Sequence, residues 1–427
     1  MFLMNIKKFL IYSSNCERDS YVWNMIASLL QSFQSVIMLM IITRVVGLSD
    51  AGVFTIAYAN ANLFVIIGKY GVRYFQISDI KKQFTFAEYK SSRILTLIIM
   101  LIVSVGYALY SSDINHYTVE KLQIVIWMCL FKAIDAYEDV FIGLYQNRNR
   151  LDIAAKSVSV RMIFTLIIFS ISIVGTHSLL AALIITTVFT FLTFTLFTKW
   201  TYKYFHKKET HNFKNVLLLI HNCFPLFAGT FLAFYIGNAP KYAIDSILNS
   251  EMQACYGFIS MPVFVIGVFS NFVFTPILYK LSVLWNEKNI KAITAHTLKQ
   301  TVIIAIFTIF CILGGYYLGI PILSVIYNTD LTNYKWELLI LLIGGGFFAL
   351  TELLSKVITI VRYQKLMLYG YATVAFLALL ISKRMIEEYS IMGAALLYTG
   401  LMAILSIFFV ILTIYGLLSK NNKGEIK

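Results

Sequence analysis

The sequence predicts an all-α, polytopic membrane protein of about 12 transmembrane helices in two six-helix lobes, and three observations carry that prediction. Hydrophobic residues fill 59% of 427 positions and charged residues only 13%, with a mean hydropathy of +0.77. Apolar runs of about 20 residues, enough for a helix to cross a hydrocarbon layer of about 30 Å, recur from end to end. Lysine and arginine are shared very unequally between alternate connections.

Taken in order, the spans are expected near 22–42, 51–69, 94–111, 122–145, 156–175, 178–198, 216–237, 254–279, 300–320, 336–361, 366–382 and 391–418. Before the first, Lys7 and Lys8 stand beside Phe9-Leu10-Ile11-Tyr12, the composition of an interfacial segment. No cleavable signal peptide is expected, because the first apolar run is of spanning length and lacks a clear small-residue cleavage site. In the seventh span Pro225 is expected to kink the helix, and Met261-Pro262 to break the eighth. The five cysteines are scattered with no CxxC pair and read as packing residues. The connections are short, with no inserted soluble domain.

Orientation follows from the basic residues. With the N-terminus inside, the even-numbered connections and the tails hold about 27 Lys and Arg, among them Lys81, Lys82, Arg148, Arg150, Lys199, Lys203, Lys207, Lys208, Lys288, Lys291 and Lys420. The outer connections hold about six: Arg44, Lys121, Lys241, Lys335, Lys383 and Arg384. Both termini are therefore expected in the cytoplasm. The same asymmetry absorbs most of the net charge of +14, so no nucleic-acid partner is implied. A faint repeat, Arg44 to Gly52 against Asp245 to Gly257, divides the chain into lobes 1–198 and 216–427 around a basic cytoplasmic linker, 199–215.

Charges at bilayer depth cost about 3 kcal/mol each on insertion scales, so they normally face a partner or a wet cavity. The fourth span carries the densest set, Lys132, Asp135, Glu138 and Asp139. Lys132 with Asp135 reads either as an ion pair stapling helices or as a cavity wall that contacts an anionic substrate through the lysine and an ion through the acid. Topology puts this pair at mid-depth and moves Glu138 and Asp139 towards the cytoplasmic end, which divides the cluster in two. Gln31, Gln34, Ser35, Tyr58, Asn60 and Asn62 read as interhelical hydrogen-bond partners or as cavity lining. Lys69 and Arg73, at the inner end of the second span, have snorkelling as their ordinary explanation. Arg73 is also of the residue type best built for bidentate phosphate contact. Glu352 and Lys356, one turn apart, are placed to satisfy each other. Gly344-Gly345-Gly346 reads as close helix packing or a flexible point rather than a nucleotide loop.

Enzyme signatures are thin. Asp135-x-x-x-Asp139 has the spacing of an Mg²⁺-diphosphate motif, but that chemistry needs carboxylates from a second site. None is apparent within the membrane, since Glu387-Glu388 falls in an expected outer connection, and the six histidines lack metal-ligand spacing.

Four stretches carry a family likeness: Thr43 to Thr55; Lys69 to Asp79 with Tyr89 and Arg93; Glu138 to Arg148 with Leu151, Asp152 and Arg161; and Pro240 to Asp245. With them the chain resembles the multidrug/oligosaccharidyl-lipid/polysaccharide exporter superfamily. Within it the likeness is to bacterial polysaccharide-biosynthesis flippases of the O-antigen and teichoic-acid type (Wzx-like). The resemblance implies two lobes opening alternately inward and outward around a central cationic cavity. It also implies a substrate of undecaprenyl-diphosphate carrying a short oligosaccharide, turned from the inner to the outer leaflet of the bacterial plasma membrane, with H⁺ or Na⁺ coupling and no cofactor. Partners on this reading are membrane lipid, a polysaccharide polymerase and glycosyltransferases. A multidrug or small-molecule cation antiporter of the same superfamily is the alternative, followed by a membrane prenyltransferase-type enzyme. The candidate substrate-binding residues are Arg44 and Lys241 outside, Lys132 at mid-depth and Arg73 inside. The candidate ion-coupling residues are Asp135, Asp245 and Glu352.

Overall fold

The computed structural model describes residues 2–79, 82–205 and 211–424, and every regular element among them is helical. A short α1 (Phe2–Ile11) precedes α2 (Cys16–Val45), α3 (Leu48–Lys69), α4 (Val72–Ser78), α5 (Phe86–Ile114), α6 (Val119–Asn147), α7 (Leu151–Thr176) and α8 (Leu179–Tyr202). Then come α9 (Phe213–Ile247), α10 (Ser250–Asn286) and α11 (Ile290–Gly314), which passes through a π-helical turn, Gly315–Gly319, into α12 (Ile320–Tyr327). Last are α13 (Lys335–Val361) and α14 (Gln364–Gly424).

Nine helical stretches among the described residues are long and apolar enough to cross a membrane. The last of them contains two helices, because α14 breaks at Ser390, whose φ of 52° and ψ of −133° are not helical. The 29-residue α6 and the 37-residue α10 have spanning length as well. This is a multi-pass helical membrane protein, and the count accords with twelve. Side chains such as Ile102 and Ile171, about two-thirds exposed, form the outward apolar faces that lipid covers.

Several expected boundaries move. The third span opens at Phe86, eight residues before the apolar run, because Thr85 and Glu88 close a capping box there. The expected outer connection around Lys383 to Glu388 is helical through Tyr389, with Arg384 Nε donating to Glu388 at 2.9 Å. The break expected at Met261-Pro262 is absent: α10 runs on past it, as α9 runs on past Pro225. A proline deletes one ladder hydrogen bond, and neighbouring helices can hold the remaining turns in place.

The chain divides into two compact units, Met1–Phe227 and Ala228–Lys427. The division falls inside α9 because that helix's first half is packed into the first unit. Leu219 and Cys223 join a core with Val72, Tyr89, Val140 and Leu144, and Phe227 stacks on Tyr70 at 4.3 Å. Of the sequence expected as linker, 199–202 ends α8 and Asn212 and Asn215 donate to Glu88. Residues 206–210, with Lys207 and Lys208, lie outside the described residues, as does Lys81.

In the first unit α3 is buried along most of its length, from Ala51 to Gly68, as expected of a helix that is apolar all round. Gly68 permits its approach: a Cβ there would fall 2.7 Å from Met100 Sδ and 2.8 Å from Ala136 Cβ. In the second unit α13 is the hub, and its three glycines face three neighbours. A Cβ on Gly344 would collide with Tyr398 and Thr399 of α14, on Gly345 with Ile266 of α10, and on Gly346 with Thr308 of α11. Of the two readings of that triplet, the structure selects close packing.

Candidate functional site

The polar centre of the first unit is built on α6. That helix starts on the Thr118 cap and is held by apolar residues on most faces, including Met128, Phe131, Val140 and Leu144, all nearly inaccessible. Four charges on such a helix have to find partners on its neighbours, since an ion buried alone costs several kcal/mol.

They find them in two directions. Asp135 and Glu138, three positions apart, turn towards α7. There the fully buried Arg161 donates through Nη2 to Asp135 at 2.7 Å, and through Nε and Nη2 to Glu138 at 3.0 and 2.6 Å. Its contact with Glu138 is the bidentate fork that arginine geometry favours. Lys132 donates to Asp135 and to Gln34 of α2, each at 3.1 Å, and lies 4.6 Å from the ring centre of Tyr58. Asp139 turns the other way, accepting from the buried Arg93 of α5 at 2.6 Å, with Arg73 of α4 at 3.6 Å.

The turn between α3 and α4 explains the second direction. Tyr70 and Gly71 both have positive φ, 49° and 70°, which ends α3 abruptly and leaves the Gly68 carbonyl to be capped from outside the helix. Arg93 Nη1 and Thr96 Oγ1 donate to it at 2.6 and 2.8 Å. The same turn sets Arg73 over the end of α6, where Nη2 donates to Gln146 at 2.8 Å. Gly143 admits the Gln76 side chain, whose Nε2 donates to the Val140 carbonyl, and Asn147 donates to the Gln76 carbonyl.

Charge is not balanced here. Lys69 acts electrostatically on Asp135 and Glu138 without pairing directly with either. Five cations (Lys69, Arg73, Arg93, Lys132 and Arg161) therefore share three carboxylates (Asp135, Glu138 and Asp139). Arg93 and Arg161 are inaccessible and tightly held. Lys69 and Arg73 are half-buried, and Arg73 Nε has no partner among the described residues. The unneutralised positive charge sits on the two residues that a ligand can reach.

The predicted residues fall into separate places. Lys132, Asp135 and Arg73 belong to this network. The division expected between Asp135 and Glu138 lies elsewhere, because Arg161 ties those two together and Asp139 alone turns away. Asp135 and Asp139 engage different arginines and do not converge on one point, as a shared metal would require. Arg44 is exposed at the end of α2. Lys241, Asp245 and Glu352 belong to the second unit, the first two one turn apart on α9 and the third on α13, with Lys356 in electrostatic reach of Glu352. Arg93 and Arg161 are the partners that sequence reasoning did not select. Their signal was present, a lone arginine beside or within an apolar run, but nothing local says which acid each will meet.

The comparisons with known proteins agree with this architecture. The family described as "Polysaccharide biosynthesis protein" matches residues 18–282. The capsular polysaccharide biosynthesis protein CapF of Staphylococcus aureus is 24% identical over 388 residues, covering 88% of this chain and 93% of that protein. Among solved structures, the lipid II flippase MurJ in an inward closed conformation superposes with a TM-score of 0.71 at 15% identity, covering 91% of this chain and 87% of MurJ. An inward-facing MATE-family multidrug resistance transporter of the MOP superfamily gives 0.69 at 10% identity, covering 93% and 96%. At such identities the structural matches speak for the fold alone.

Proposed function

Since the chain belongs to the polysaccharide biosynthesis protein family, with the fold of MOP-superfamily transporters, we propose that it turns an undecaprenyl-diphosphate-linked oligosaccharide from the inner to the outer leaflet of a bacterial plasma membrane. Its termini lie in the cytoplasm, and its two lobes work by alternating access. The observation that carries this reading is the surplus of reachable positive charge at Lys69 and Arg73. A lipid diphosphate needs cations that are near the membrane, open to approach and not already consumed by carboxylates. Arg73 meets all three conditions: it is part-exposed, loosely paired with Asp139 and donates to a neutral amide. Drug cations would be repelled by the same surplus.

Within this reading Arg73 captures the diphosphate on the inner side, and Arg44 and Lys241 receive it on the outer side. Lys132, engaged by Gln34, Asp135 and Tyr58, holds the geometry of the path and meets substrate only if that triad opens. Asp135 already accepts from two cations, so an H⁺ or Na⁺ arriving there has to displace one of them. Asp245 and Glu352 are the other candidates for ion coupling. The test is transport of a fluorescent undecaprenyl-diphosphate glycan in proteoliposomes. Arg73→Gln is expected to slow the flip at least tenfold with normal protein levels. Equal rates for this variant, the parent protein and empty vesicles would remove the proposal.

A further inference from the structure

A second polar feature lies beside Arg73, outside the ion-pair network of α6. The ends of α4, α5 and α6, with Asp79 and residues 82–85, line an open pocket of about 380 Å³ that includes Gln76, Asp79, Lys82, Phe84, Phe86 and Arg148 among others. This volume is far beyond one water, whose share of the liquid is about 30 Å³, and falls within the range of small-ligand sites.

The pocket is built rather than left over. Asp79 is the hub of its loop: Oδ1 accepts from the Gln83 amide at 2.8 Å, and Oδ2 from the Phe84 amide at 3.1 Å and the Tyr89 hydroxyl at 2.9 Å. Three donors thus engage the one carboxylate in the lining. The two cations are different. Lys82 is exposed, Arg148 is half-buried, and neither side chain has a hydrogen-bond or ion-pair partner among the described residues. Gln76 is 3% exposed, with its amide turned into α6 against Gly143 and the Val140 carbonyl, and serves as wall. Asn147 lies at the rim, while Phe84 and Phe86 supply ring surface. Cations for a phosphoryl group, the Asn147 amide for a hydroxyl and aromatic faces for a C–H-rich surface make up one consistent chemistry.

Location narrows the class of ligand. The lining comes from the ends of α4, α5 and α6 and from residues of the connections that follow α4 and α6, so it lies at the ends of membrane helices. That is headgroup depth, where lipid phosphates are the most concentrated anions.

We infer that this pocket binds the phosphorylated, hydroxyl-bearing headgroup of a membrane lipid, with the phosphoryl group against Lys82 and Arg148 and the hydroxylated part against Asn147 and Phe86. Two lipids share this chemistry, a glycerol phospholipid and a polyprenyl-diphosphate sugar. Only the second rests on the proposed transport function, and it would make the pocket a loading station ahead of Arg73.

The experiment uses the full-length chain in phosphatidylcholine nanodiscs, doped in separate samples with phosphatidylglycerol or with an undecaprenyl-diphosphate disaccharide. Lipid retained per protein is titrated by native mass spectrometry. The double variant Lys82→Ala/Arg148→Ala is expected to bind one of the doped lipids about a hundredfold more weakly, and Lys82→Glu alone at least tenfold. Lys82→Arg/Arg148→Lys should restore most of the affinity. Since neither side chain is used in packing the fold, melting temperatures should match the parent's. Loss confined to phosphatidylglycerol supports the site as one for a resident anionic lipid, and loss confined to the disaccharide lipid supports it as a loading station. Equal retention of both lipids by parent and variants overturns the inference. Flip rates are measured separately, so a chain that binds through this pocket but turns no lipid over would remove the transport proposal and leave the site standing.

Discussion

The two units bury their centres by different means. In the first, the central helix α6 is held by ions: Arg161 forks onto Glu138 and reaches Asp135, and Arg93 grips Asp139 and the end of α3. In the second, the central helix α13 is held by the absence of side chains, with Gly344, Gly345 and Gly346 letting α14, α10 and α11 approach. Close packing through glycine stabilises without placing charge in the membrane. An ionic centre is costly to bury, and it makes sense where charge is to be used. The contrast is in how the two central helices are held: α6 by ion pairs to its neighbours, α13 by backbone approach at its glycines.

The comparison breaks most visibly at Arg161. Arg161→Met strands Glu138, leaves Asp135 to Lys132 alone and should cost about 3–5 kcal/mol, read as a sharp fall in melting temperature and membrane level. Adding Glu138→Gln should recover part of that loss; no recovery would mean that the pair does not act as a unit. Next is Gly345→Leu in the second unit, where the new side chain meets Ile266 and Val263 and should cost about 1–3 kcal/mol by overpacking. A melting temperature like the parent's would show that α13 is not the tight hub described. Smaller again is Arg73→Gln, which loses a loose ion pair at a part-exposed site and should change stability by about 1 kcal/mol or less while transport falls. The smallest effect belongs to Gly400→Ala. Nothing lies within 4 Å of the added methyl, so helix propensity should make it neutral or stabilising by about 0.5 kcal/mol. If Gly400→Ala destabilised as much as Gly345→Leu, the contrast between packed and open glycines would fail.

Much of this was legible beforehand. The apolar runs named the helices, and Lys132, Asp135, Glu138 and Asp139 drew attention because charge in such a run needs a reason. The ends were less legible. Phe86 to Arg93 is polar enough to look like a connection, yet it is helix because Thr85 and Glu88 cap it and Arg93 is paired. Prolines misled in the opposite direction, since Pro262 sits in an unbroken α10. The pocket beside Arg73 had no signal at all, because its lining comes from Gln76, Asp79 and residues between 82 and 89 on one side and between 144 and 148 on the other, which only the fold brings together.

By itself the sequence determined the class: composition and run length dictate helices that cross a membrane, whatever their arrangement, because lipid admits only helices and closed barrels, and apolar runs of about 20 residues fit the helix. It also determined that the charges of α6 would need partners. Which partners was a tertiary decision. Whether Asp135 meets Arg161 or is left to Lys132 alone depends on the rotation and depth of α7 against α6. Those are set by how whole helical faces pack, a property that no window of residues contains.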